Sequence, residues 1–78
     1  MNNTEVGQRI RAQRKAVKMN QKALSTALQI SQPEMSNIEK GKRVLTDARV
    51  VQVAAVLGCD AHFLATGETV TAPAQAQA

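Results

Sequence analysis

Aromatic residues are nearly missing from this sequence: it has no Trp and no Tyr, and Phe63 is its only ring. That scarcity excludes a ring-lined catalytic pocket, and it excludes holding single strands by stacking bases on aromatic side chains. Cys59 is the only cysteine, so no disulfide can close within the chain and a reducing cytoplasm is the expected setting. His62 is the only histidine. One His and one Cys are too few for a zinc site, and no serine or cysteine stands beside His62 as a nucleophile pair. No catalytic residue, metal or cofactor is therefore expected. The chain also lacks a signal-peptide pattern and any long apolar run, so neither export nor membrane spanning is expected. Alternating strand patterns, hairpin dipeptides and internal repeats are missing as well.

Acidic residues are scarce where basic ones collect. Residues 1–43 hold nine of the ten Lys and Arg (Arg9, Arg11, Arg14, Lys15, Lys18, Lys22, Lys40, Lys42, Arg43) against Glu5, Glu34 and Glu39, a net of +6. Residues 44–78 hold Arg49 against Asp47, Asp60 and Glu68, a net of −2. A one-sided basic field suits a polyanion, although a solubilising surface would look similar by charge alone.

What is present is helical periodicity. From Glu5 to Lys18 the apolar positions Val6, Ile10 and Val17 fall on one helix face, and Arg14 falls on the same stripe. Asn20 suits the N-cap of a second helix, in which Leu24, Ala27 and Leu28 align. Ser31 with Glu34 three residues on reads as a capping box for a third helix. Pro33 is tolerated in its first turn, and Gly41 closes it in the left-handed conformation. Thr46 caps a fourth helix, Asp47 to Leu57, whose many apolar residues predict the central, most buried element. Asp60 caps a short fifth helix, and Gly67 stops it. The reading is an all-α bundle of five helices within residues 1–68. Residues 69–78, rich in Ala, Gln, Pro and Thr, read as a flexible tail or the start of a linker.

Helices two and three are joined by only a few residues, the geometry of a helix-turn-helix whose second helix enters a major groove. Projected at about 100° per residue, Met35, Ile38 and Glu39 of helix three face inward. Gln32, Pro33, Ser36, Asn37 and Lys40 spread over the outward side. Glutamine and asparagine can pair with adenine edges, and serine with several bases. Lys40, Lys42 and Arg43, at the helix end, are placed for phosphates. Glu39 on the inward face requires a cation, because an unpaired buried charge is prohibitively costly. Arg14 has the same need on helix one, so the two are expected to pair across the bundle.

These residues resemble the phage-repressor and Cro-like helix-turn-helix proteins, the XRE family. The resemblance runs through Arg14, through Gln21, Leu24 and Ser25, and through Ile30-Ser31-Gln32-Pro33. It continues in Ser36-Asn37-Ile38-Glu39-Lys40-Gly41-Lys42 and closes with Leu57-Gly58-Cys59-Asp60-Ala61-His62-Phe63-Leu64-Ala65-Thr66-Gly67-Glu68. It implies a lambda-repressor-like bundle and a sequence-specific regulator of transcription, a repressor acting as a homodimer on a near-palindromic duplex DNA operator. By position, Gln21 would hold a phosphate and brace helix three. Gln32, Pro33, Ser36 and Asn37 would meet base edges, and Lys40, Lys42 and Arg43 the DNA backbone. Arg14 and Glu39 would be the structural pair. Three positions depart from the family pattern: Gln29 stands where the turn glycine is usual, Pro33 has no side-chain group to hydrogen-bond a base, and Ala65 replaces a larger apolar residue.

Restriction-modification controllers and antitoxins share the same domain and stay open. A protein-binding module would need exposed apolar anchors on helix three, and Gln32, Ser36, Asn37 and Lys40 are poor ones. Membrane-surface binding would need a bulky apolar face on basic helix one, but Val6, Ile10 and Val17 are expected in the core. No small-molecule substrate is expected.

Overall fold

Each helix begins where a short polar side chain can accept a backbone N–H that has no partner inside the helix. The computed structural model describes residues 2–68. They form α1 Asn3–Ala16, α2 Gln21–Ala27, α3 Gln32–Glu39, α4 Asp47–Leu57 and α5 Ala61–Thr66. The caps Asn20, Ser31, Thr46 and Asp60 each accept from the N–H three residues on, as the sequence predicts. α1 differs, starting two residues before the expected Glu5. Asn2 Oδ1 accepts from both Thr4 N (2.9 Å) and Glu5 N (3.1 Å) and so draws the helix start back. The expected tail lies outside the described residues.

The first three helices end alike. Met19, Ile30 and Lys42 donate their N–H groups back to the carbonyls of Arg14, Ser25 and Asn37, at 3.0, 3.0 and 2.9 Å. Lys18, Gln29 and Gly41 add the second, shorter-range bond that completes a Schellman motif. The motif requires a left-handed residue, and φ is 59° at Lys18, 60° at Gln29 and 79° at Gly41. Glycine adopts this conformation freely, whereas Lys18 and Gln29 carry a Cβ there at a cost of about 1 kcal/mol each. Gln29→Gly is therefore expected to stabilise the domain by up to about 1 kcal/mol, raising Tm by roughly 4–8 °C. A fall in Tm on thermal unfolding followed by circular dichroism would mean that the Gln29 side chain contributes more than its strain costs.

The core takes residues from every helix: Val6 and Ile10, Leu24 and Leu28, Met35 and Ile38, Val50, Val53, Ala54 and Leu57, and Leu64. Leu45, in the α3–α4 connection, is buried with them. Two expectations fail. Val17 is 46% exposed, because α1 stops at Ala16 and the cap residue turns off the inward stripe. α4 is not covered on all sides either: Val51 is 56% exposed and Ala55 is exposed. α4 packs mainly on α5 and α1, and in a bundle this small one of its faces meets solvent.

Two glycines set how closely α1 approaches α3. A Cβ on Gly7 would lie 2.7 Å from the Glu39 carbonyl oxygen and would collide with that of Ile38. One on Gly41 would lie 2.6 Å from the Cα of Thr4. The backbone of α1 thus rests directly on the last turn of α3.

Candidate nucleic-acid interface

α3 is an eight-residue helix with two different faces. Met35 (0% exposed), Ile38 (2%) and Glu39 (7%) point inward. Glu39 is paired within the protein: Arg14 Nε donates to Oε2 at 2.7 Å and Arg14 Nη2 to Oε1 at 3.1 Å, a two-pronged pair. Gln21 Nε2 donates to the same Oε1 at 3.2 Å. Arg14 Nη1 donates to the carbonyl of Met19 at 3.0 Å. One carboxylate therefore ties α1, α2 and α3 together, with each charge met by hydrogen bonds in its buried surroundings.

The outward face is the reverse. Gln32, Pro33 and Lys40 are exposed, and Ser36 and Asn37 are half-buried beside them. Among the described residues, no side chain of Gln32, Ser36 or Asn37 has a hydrogen-bond partner in the protein. The hydroxyl of Ser31 and Pro33 at the helix start set where this face begins: Ser31 Oγ accepts from Glu34 N at 3.2 Å. Lys42 and Arg43 follow Gly41 and are exposed.

Pairing inside the protein leaves the net charge of the basic half at +6 and sets apart the cations that have no internal partner. Of the three acidic residues in the basic half, Glu39 is held by Arg14 and Glu5 meets Arg9 at 3.3 Å. Arg9 also donates to the Leu64 carbonyl at 3.1 Å, tying α1 to α5. Among the described residues this leaves Arg11, Lys15, Lys18, Lys22, Lys40, Lys42 and Arg43 with no carboxylate in ion-pair range. Lys40, Lys42 and Arg43 stand exposed at the end of α3, the arrangement that attracts a phosphate chain.

Between α1, α2 and α3 an open groove of about 340 Å³ is lined by Arg11, Arg14, Gln21, Ser36, Glu39 and Lys40. The sequence reading missed Arg11 as a member of this surface. Its only signal was its basic character on the outward side of helix one. Cys59 takes no part. It packs half-buried against the core, and burial, with the Asp60 charge adding to it, pushes its thiol pKa up.

The family model described as "Helix-turn-helix" matches residues 10–64, well over half of the chain. The chain belongs to the XRE-type helix-turn-helix family. Among solved structures, this helix-turn-helix domain is similar to the crystal structure of the restriction-modification controller protein C.AhdI from Aeromonas hydrophila. The TM-score is 0.74 at 22% identity, over 81% of this chain and 91% of that one. At that identity the likeness establishes the shared fold: five helices and, among the described residues, no strand. No curated protein matches the sequence. Among the described residues, no helix is long and apolar enough to cross a membrane.

Proposed function

We propose that this helix-turn-helix protein is a sequence-specific duplex-DNA-binding regulator of transcription. In this reading it is a phage or prophage-type repressor that works in the bacterial cytoplasm as a homodimer on a near-palindromic operator. The observation that carries the reading is the division of α3. Its inward polar group, Glu39, takes three hydrogen bonds, whereas Gln32, Ser36 and Asn37 face outward with no side-chain partner among the described residues. A major groove supplies partners for such groups. Gln32, Ser36 and Asn37 read base edges, and Pro33 packs on a base at the helix start, the thymine methyl being the apolar contact available. Gln21, Lys40, Lys42 and Arg43 hold phosphates. Two copies set their α3 helices in successive major grooves about 34 Å apart.

Selecting binding sites from random duplex DNA tests binding, specificity and half-site spacing together. Recovery of a palindrome with half-sites one helical turn apart is expected. Recovery of no enriched sequence would favour a protein-binding module instead. On the selected site, Asn37→Ala is expected to relax preference at one base position with a loss of about 1–3 kcal/mol. Lys42→Ala is expected to weaken all sequences alike and to reduce the salt slope by about 1.

A second reading, a regulator of the restriction-modification controller type, draws support from the C.AhdI likeness. Mapping the selected operator onto the source genome separates the two: a site beside restriction and modification genes favours the controller.

A further inference from the structure

We infer that the groove between α1, α2 and α3 seats a backbone phosphodiester of bound duplex DNA, with Arg11 of α1 as its principal cation. The inference rests on the DNA-binding reading above and adds to it a contact from a helix that otherwise only supports the fold.

Three observations lead there. Arg11 and Lys40 line the groove, are exposed, and have no carboxylate in ion-pair range among the described residues. The only acidic group lining the groove is Glu39, and its oxygens already take three hydrogen bonds from Arg14 and Gln21. Arg14 offsets its charge, so the groove presents the two free cations as a net positive seat. Finally, Ser36, on the outward side of α3, lines the same groove. A phosphate held there lies beside the helix proposed to read the bases, and a contact at that place fixes the register of the helix in the major groove. An arginine suits the position, because its planar fork matches phosphate oxygens with two parallel N–H groups.

The test compares Arg11→Gln with Lys15→Gln, which removes the same charge one turn further along α1 and outside the groove. Affinity for the selected operator and for a scrambled duplex is measured across salt concentrations, with circular dichroism to confirm folding. Arg11 is exposed and Arg11→Gln is expected to fold normally. Its affinity is expected to fall roughly tenfold on both duplexes, with the log–log salt slope shallower by about 0.9, while Lys15→Gln stays close to wild type. Equal losses in both variants would mean a diffuse field with no seat and would overturn the inference, as would an unchanged slope in Arg11→Gln. Saturable binding of inorganic phosphate to the DNA-free protein, abolished in Arg11→Gln while the salt slope stays at its wild-type value, would reassign the groove to a free anion. Failure of the wild-type protein to bind either duplex would instead overturn the DNA-binding reading itself and this inference with it.

Discussion

Arg14→Ala is expected to destabilise the domain by about 3–5 kcal/mol, the cost of leaving a buried carboxylate without its cation. Glu39 is 7% exposed, and the arginine supplies two of its three hydrogen bonds. Gln21 alone cannot neutralise it. The loss of the bond to the Met19 carbonyl adds to the cost, because Arg14 also holds the end of the α1–α2 connection. A domain this small has little stability in reserve; at roughly 4–8 °C per kcal/mol, much of the population would be unfolded near physiological temperature. Urea titration followed by circular dichroism measures the loss, and a value under about 1 kcal/mol would show that the pair is expendable. The converse substitution separates specificity from stability. Replacing both partners with apolar residues of similar size, Arg14→Met with Glu39→Leu, is expected to recover most of the loss. It is also expected to loosen the seating of α3, because no apolar contact fixes an angle as a two-pronged ion pair does.

Gly7→Ala carries the second large effect, and its sign is informative. Helix propensity alone predicts a gain, since alanine in a helix interior is favoured over glycine by roughly 0.5–1 kcal/mol. The structure predicts a loss. The new Cβ would meet the carbonyl oxygens of Ile38 and Glu39, and these are backbone atoms that cannot rotate aside. Overpacking of this kind costs typically about 1–3 kcal/mol, and here it is relieved only by moving α1 off the last turn of α3. The expected result is a lower Tm together with weaker operator binding. A rise in Tm would show that the α1–α3 crossing has room to spare. Because Gly7 and Glu39 lie in one contact, its effect is not expected to add simply to that of Arg14→Ala.

The parts of this molecule legible in the sequence were those governed by local chemistry. Asn20, Ser31, Thr46 and Asp60 marked helix starts because a cap acts within three residues. Gly41 marked a helix end for the same reason. The Arg14–Glu39 pair was legible because two charges on inward faces leave no other low-energy outcome. What escaped depended on distances between helices. Gly7 is visible only as a glycine inside a helical pattern, and nothing local says that the carbonyls of residues 38 and 39 lie against it. Val17 and Val51 are apolar residues at helical spacing, yet whether a neighbour covers them depends on where α1 stops and how few helices surround α4. Arg11 looked like one charge among many, since its groove is formed by three elements meeting.

The pairing of Glu39 inside the protein also bears on how such a domain changes over time. The residues that hold α3 in place and those proposed to read DNA are disjoint: Met35, Ile38 and Glu39 on one side, Gln32, Ser36 and Asn37 on the other. Substitutions at the second set break no side-chain hydrogen bond among the described residues, so each is expected to be close to neutral for stability. Under the proposed function, operator preference can therefore drift by single replacements while the scaffold stays under constant constraint. A library randomised at positions 32, 36 and 37 should consist mostly of folded proteins with different targets.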